Sequence, residues 1–180
     1  MRLRTALLTL IAAGLLAGCN ATPAAQPSDT EPASSPPTTR RPTTAPPRRT
    51  TPPAITRDGA CPYFTQAFAQ QTVGQHLSRS TVTTTAPYPG CTLYRPDGDK
   101  AIDVRVTAYP TALAAQRKAV TVLGAGANPT DVGDNGTVAI VAAGARLAAS
   151  KGRYLIVVFI NQQSSLQAHD LASAVAAKIH

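Results

Sequence analysis

Cys91-Thr92-Leu93-Tyr94-Arg95-Pro96-Asp97-Gly98-Asp99-Lys100-Ala101-Ile102-Asp103-Val104-Arg105-Val106-Thr107-Ala108 decides the fold. Pro96 fixes one φ, Asp97 can cap its own turn and Gly98 tolerates positive φ. Residues 96 to 99 therefore read as the turn of a hairpin whose strands run from Cys91 to Arg95 and from Ala101 to Ala108. In the second strand Ile102, Val104, Val106 and Ala108 alternate with Asp103, Arg105 and Thr107. One face is buried and the other is wet.

Outward from the hairpin, helical and strand signals alternate. Upstream, Pro62 suits a first helical turn, and Phe64, Ala67, Phe68 and Gln71 follow at helical spacing, so a helix is expected from Pro62 to Val73 with Gly74 as its stop. The run from Thr81 to Thr85 has strand-forming residues but meets Pro87 and Pro89, which suggests a short edge strand at best. Downstream, Pro110 and Thr111 open a second helix with Leu113, Gln116, Val120 and Leu123 on one side and Gly124 as its stop. Gly124 to Gly136 reads as the longest loop, followed by strands at residues 137–142, 145–150 and 154–160. Residues 154 to 160 are apolar throughout, as befits a central strand covered on both faces. Ser164 and Gln167 have capping-box spacing ahead of a last helix whose apolar face is Ala168, Leu171, Ala172, Val175 and Ile179. The expected fold is α+β: an antiparallel sheet of about four to five strands packed against two to three helices, with one disulfide.

The N-terminal fifty-odd residues are of another kind. Arg2 and Arg4 precede an apolar run from Ala6 to Ala17 that ends in Leu16-Ala17-Gly18-Cys19, the layout of a lipoprotein signal with Cys19 as the lipid acceptor. A dozen apolar residues fall short of the ~20 that span a bilayer. Residues 1–18 are thus expected to be cleaved, leaving the domain lipid-anchored at the extracytoplasmic face of the cell membrane. Ten of the sixteen prolines lie between residues 20 and 56 among Thr, Ser and Ala. Such a stretch buries too little apolar surface to offset its ordering entropy. Residues 19–57 are read as lipidated cysteine and linker, and 58–180 as a single globular domain.

Charge and cysteine usage narrow the function. The formal net charge is +8, but from Asp58 onward ten Lys or Arg face seven Asp, and no basic run occurs. Nucleic acid is not an expected partner. Arg40, Arg41, Arg48 and Arg49 of the linker could instead rest on anionic headgroups or an acidic wall polymer. Assigning Cys19 to lipid leaves Cys61 and Cys91 as one pair in an oxidising compartment.

No motif for catalysis or cofactor binding emerges. His169 and Asp170 are adjacent, but helical neighbours point about 100° apart and do not orient each other directly. His76 and His180 share no metal-ligand spacing with it, and Asp131, Asp134 and Asn135 do not match a calcium loop, so no metal or cofactor is expected. Tyr94, Arg95 and Arg105 form the candidate binding surface. A non-catalytic binding or scaffolding domain follows, with an envelope protein or wall polymer as partner. Two alternatives remain. A carrier of lipid or a small apolar ligand would need a void lined by Phe64, Phe68, Val157 and Phe159, and an envelope hydrolase would need a nucleophile within reach of His76 or His169.

Cys61-Pro62-Tyr63, Gly74-Gln75, the run from Cys91 to Gly98, Val104-Arg105-Val106, Lys151-Gly152 and Asn161-Gln162 resemble the actinobacterial lipoproteins that carry the domain of unknown function numbered 2020. The likeness covers about residues 61 to 180, and its most specific piece is Cys91-Thr92-Leu93-Tyr94-Arg95-Pro96-Asp97-Gly98. It implies the location and the layered architecture. It supplies no catalytic residue.

Overall fold

Eight strands form the domain's one sheet, in a computed structural model that describes residues 53–180. The expected signal, Cys19 and the linker up to residue 52 lie outside the described residues. The elements run β1 (Thr56–Asp58), α1 (Gln66–Val73), β2 (Arg79–Thr83), β3 (Gly90–Tyr94), β4 (Lys100–Ala108), α2 (Ala112–Thr121), β5 (Asn128–Thr130), β6 (Asn135–Val141), β7 (Gly144–Lys151), β8 (Tyr154–Ile160) and α3 (Ser165–Ala176). Every neighbouring pair is antiparallel, in the order β1-β2-β3-β4-β8-β7-β6-β5. Two four-stranded meanders thus meet along β4 and β8.

The expectation of four to five strands is wrong, and short strands explain why. β1 and β5 have three residues each, too few for alternation to show, and Pro129 within β5 reads as a breaker. Pro129 is tolerated because β5 is an edge strand. β1 straddles the expected linker boundary and pairs Arg57 with Val82, which moves β2 from the edge to the interior of the sheet.

One face carries α1 and α3. Ile102, Val104 and Val106 of β4, Leu147 and Ala149 of β7, and Ile156, Val158 and Ile160 of β8 pack there against Ala168, Leu171, Ala172 and Val175 of α3. Cys61 bonds Cys91 across 5.4 Å between Cα atoms and fastens the segment before α1 to β3 on that face. Nearby, the buried Tyr63 hydroxyl donates to Pro89 O, and burial pushes its pKa up to about 12.

α2 lies on the opposite face. It packs on β6, β7 and β8, where Ala119 meets Ala148 and Leu155 with Val122, Leu123 and Val157 around them. Thr137 Oγ1 donates to Ala119 O at 2.8 Å, filling a carbonyl at the helix end that lacks an intrahelical partner. Gly144, at φ +145°, begins β7 so close to β8 that a Cβ there would stand 1.9 Å from Ile160 O.

Two helix faces differ from expectation. The first helix starts at Gln66, because Thr65 rather than the Pro62 turn caps it, accepting from Phe68 N. It buries Ala69 and Val73 and leaves Phe68 exposed. α2 likewise buries Ala115 and Ala119, while Leu113 and Val120 face water at 54% and 39% exposure. Small residues let these helices sit close to their neighbours, and periodicity in bulky residues missed that. α3 buries the face expected of it, with Ser164 Oγ accepting from Gln167 N.

Candidate functional site

The face that bears α2 is covered for only three strands. Beyond β8 the same face continues over β4, β3, β2 and β1 with no helix on it among the described residues, and strand alternation sets its chemistry. Register places Asp58, Thr81, Thr92, Asp103, Phe159 and Arg146 in one row across six strands. A second row sets Arg79 opposite Tyr94 and Tyr94 opposite Lys100. A β-bulge between Leu93 and Tyr94 brings Lys100 onto this face, with Ala101 turned into the core.

Of these, Thr81, Thr92, Tyr94, Lys100 and Asp103 line a trough of about 400 Å³ over β1 to β4, together with Arg105. Lys100, Asp103 and Arg105 also line a second hollow of about 320 Å³ that continues past Phe159 and Arg146 to Val122 and Leu123 at the end of α2. Asp103 is its hub. Only 16% of its side chain is exposed, and it accepts from Thr92 Oγ1 at 2.8 Å and from Arg105 Nε at 3.0 Å, with Lys100 Nζ at 3.6 Å. Arg79 pairs with Asp58 at 2.7 Å and lies 5.7 Å over the Tyr94 ring. Arg146 lies 5.8 Å over the Phe159 ring and makes no ion pair among the described residues. Four cations, Arg79, Lys100, Arg105 and Arg146, thus stand with two carboxylates, Asp58 and Asp103. The trough is hydroxyl-lined and net positive.

The structure brings Tyr94 and Arg105 together here and sets Arg95 apart. Arg95 Nη2 is held inside the hairpin turn by Asp97 at 2.9 Å and Asp99 at 2.7 Å. Sequence reasoning missed Thr81, Thr92, Lys100 and Arg146, and named Phe159 only as the lining of an apolar void. The alternating polar positions of β4 pointed to this face, but the partners of those positions depend on register, and Lys100 depends on the bulge.

The other candidates are placed elsewhere. His169 Nε2 stands 2.9 Å from Asp131 Oδ1, and Nδ1 stands 3.4 Å from Asp170 Oδ1. Its pKa is raised, chiefly by the bond to Asp131, whose own pKa is lowered by the same bond. The ring is thus held between two carboxylates, one of them the helical neighbour that spacing alone did not lead us to expect. Asp134 Oδ2 accepts from Gly152 N at 2.6 Å and so caps the turn between β7 and β8. No cluster of three His, Cys, Asp or Glu able to hold a metal ion occurs among the described residues. Phe64 packs near Phe68 by the α1 face, whereas Val157 and Phe159 lie on the opposite one, so these four line no common void.

Comparison with protein families matches residues 46–180 to one described as Domain of unknown function (DUF2020). No curated protein matches the chain.

Proposed function

The chain belongs to the family described as Domain of unknown function (DUF2020), and from that premise we propose that it is a cell-envelope lipoprotein of the actinobacterial kind, whose non-catalytic domain binds a partner through the uncovered half of its sheet. Cys19 carries the lipid, the residues between it and β1 form the tether, and the domain stands on the outer face of the cytoplasmic membrane. The reading of location rests on the basic, apolar and small-residue succession that ends at Cys19. No helix among the described residues is long and apolar enough to cross a membrane.

The binding reading is carried by one observation: a sheet covered by helices on both faces over β6 to β8 leaves a charged, hydroxyl-lined trough bare over β1 to β4. Two measurements test the two parts. Intact mass of protein extracted from membranes should show residues 1–18 removed and acyl groups added, and a retained Met1 would refute the anchor. Capture from its own envelope should recover a component that Arg105→Glu loses; recovery indifferent to that change would refute the trough as the binding surface.

A further inference from the structure

We infer that the trough takes an acidic polysaccharide, one whose sugar rings carry carboxylates, laid across the strands. The inference rests on the reading of the bare half-face as a binding surface, and it follows from what lines that surface. Carboxylates are called for by the excess of cations, two of which are held ready. A guanidinium stacked on an aromatic ring keeps its N–H edge free for a bidentate anion, and Arg146 on Phe159 has no carboxylate of its own among the described residues. Arg105 shares Asp103 with Lys100 and Thr92, so it has donors to spare.

Sugar rings are called for by the rest of the lining. Thr107 offers a hydroxyl that donates and accepts, Thr83 and Thr92, bonded to Thr56 and Asp103, still offer oxygens that accept, and the half-exposed rings of Tyr94 and Phe159 add apolar edges beside the guanidinium over each. The row from Thr81 to Arg146 crosses strands spaced about 4.8 Å apart. That spacing is close to the length of one pyranose residue along a polysaccharide, so successive rings meet successive strands. The chain's own linker is a poor occupant. Before β1 its arginines at positions 40, 41, 48 and 49 face only Asp29 and Glu31, so it has the same sign as the trough.

The test titrates the detergent-solubilised full chain with hexagalacturonate by calorimetry, beside maltohexaose, a glutamate hexapeptide and a linear hexaphosphate. Hexagalacturonate should bind, with affinity falling as salt rises, and each comparison probe should bind at least about tenfold more weakly. Arg105→Ala combined with Arg146→Ala should weaken it by about tenfold or more, while Arg117→Ala on α2 leaves it unchanged. Unchanged thermal melting confirms that the exposed-site variants remain folded. Equal binding of the peptide, the neutral sugar or the hexaphosphate overturns the inference, as does indifference to the double substitution or no binding of hexagalacturonate. Should hexagalacturonate fail while envelope capture still depends on Arg105, the polysaccharide falls and the binding surface stands. Failure of both removes the surface as well.

Discussion

Two halves of one sheet face differ by a helix. Under α2, β7 and β8 present Ala148, Leu155 and Val157, while on the neighbouring strands beyond, the same face presents Thr81, Thr92, Asp103 and Arg105. The boundary is sharp, since Arg105 is paired directly with Val157 and Thr107 with Leu155. A helix about 10 Å across spans two strand intervals of about 4.8 Å, so α2 shelters three strands. Composition follows shelter, and Arg146 of β7 marks where α2 ends. The bare half has polar residues because water, or a ligand, is what they meet.

The difference is most severely tested by placing one charge in each half. Ala148→Asp buries an unpaired carboxylate at a position with no exposure and should cost at least about 3 kcal/mol or abolish folding. Thr107→Asp, on the exposed side of the boundary, should cost under about 1 kcal/mol. Urea midpoints measure both, and similar losses would erase the distinction.

The bare half has the disulfide on its reverse side where the covered half has α3. Replacing Cys61 and Cys91 by serine opens a loop spanning 30 residues and should cost about 3.5 kcal/mol by the chain-entropy argument. Amide exchange should quicken in β2 and β3 more than in β7 and β8, and uniform quickening would show that the bridge serves both halves alike.

A smaller effect belongs to the bond that ties α2 down. Thr137→Val removes the donor to Ala119 O and should lower stability by about 1 kcal/mol, read from the thermal midpoint. Exchange at the last turn of α2 should rise with no change in β2 or β3.

The smallest effect concerns the covered half's margin, where His169 holds Asp131. The His169 pKa is raised on folding, so its stabilisation is fully present below the unfolded value of about 6.5 and is lost as pH rises through the folded one. Asp131 is lowered, so its part is present above the unfolded carboxylate value and lost as pH falls through the folded one. Both groups are exposed enough for solvent to keep the effect slight. An NMR titration should find the His169 midpoint above that of an Asp131→Asn variant; coincident midpoints would break the pairing.

Much of this was legible in the chain. The hairpin around Pro96 to Asp99, the wet and dry faces of β4, the doubly covered β8 and the buried face of α3 all follow from periodicity in residues that have no competing use. Helix faces built on alanine were not legible, since Ala69, Ala115 and Ala119 contribute little to an apolar count yet fit the closest contacts. Nor were β1 and β5, three residues each: β1 gains its meaning from β2 across the intervening helix, and β5 is masked by Pro129 beside its partner β6. The trough lies between these cases. Tyr94 and Arg105 could be named, but Arg146 and Phe159 join them only through pairings across β4, β8 and β7.

Pro129 has a further consequence. Its ring nitrogen removes one donor from the three-residue outer rim at β5, and the opposite rim, β1, is equally brief. Sheets that grow by docking rim to rim need long runs of unsatisfied amides, so crowding many copies onto one surface would not zip them into filaments.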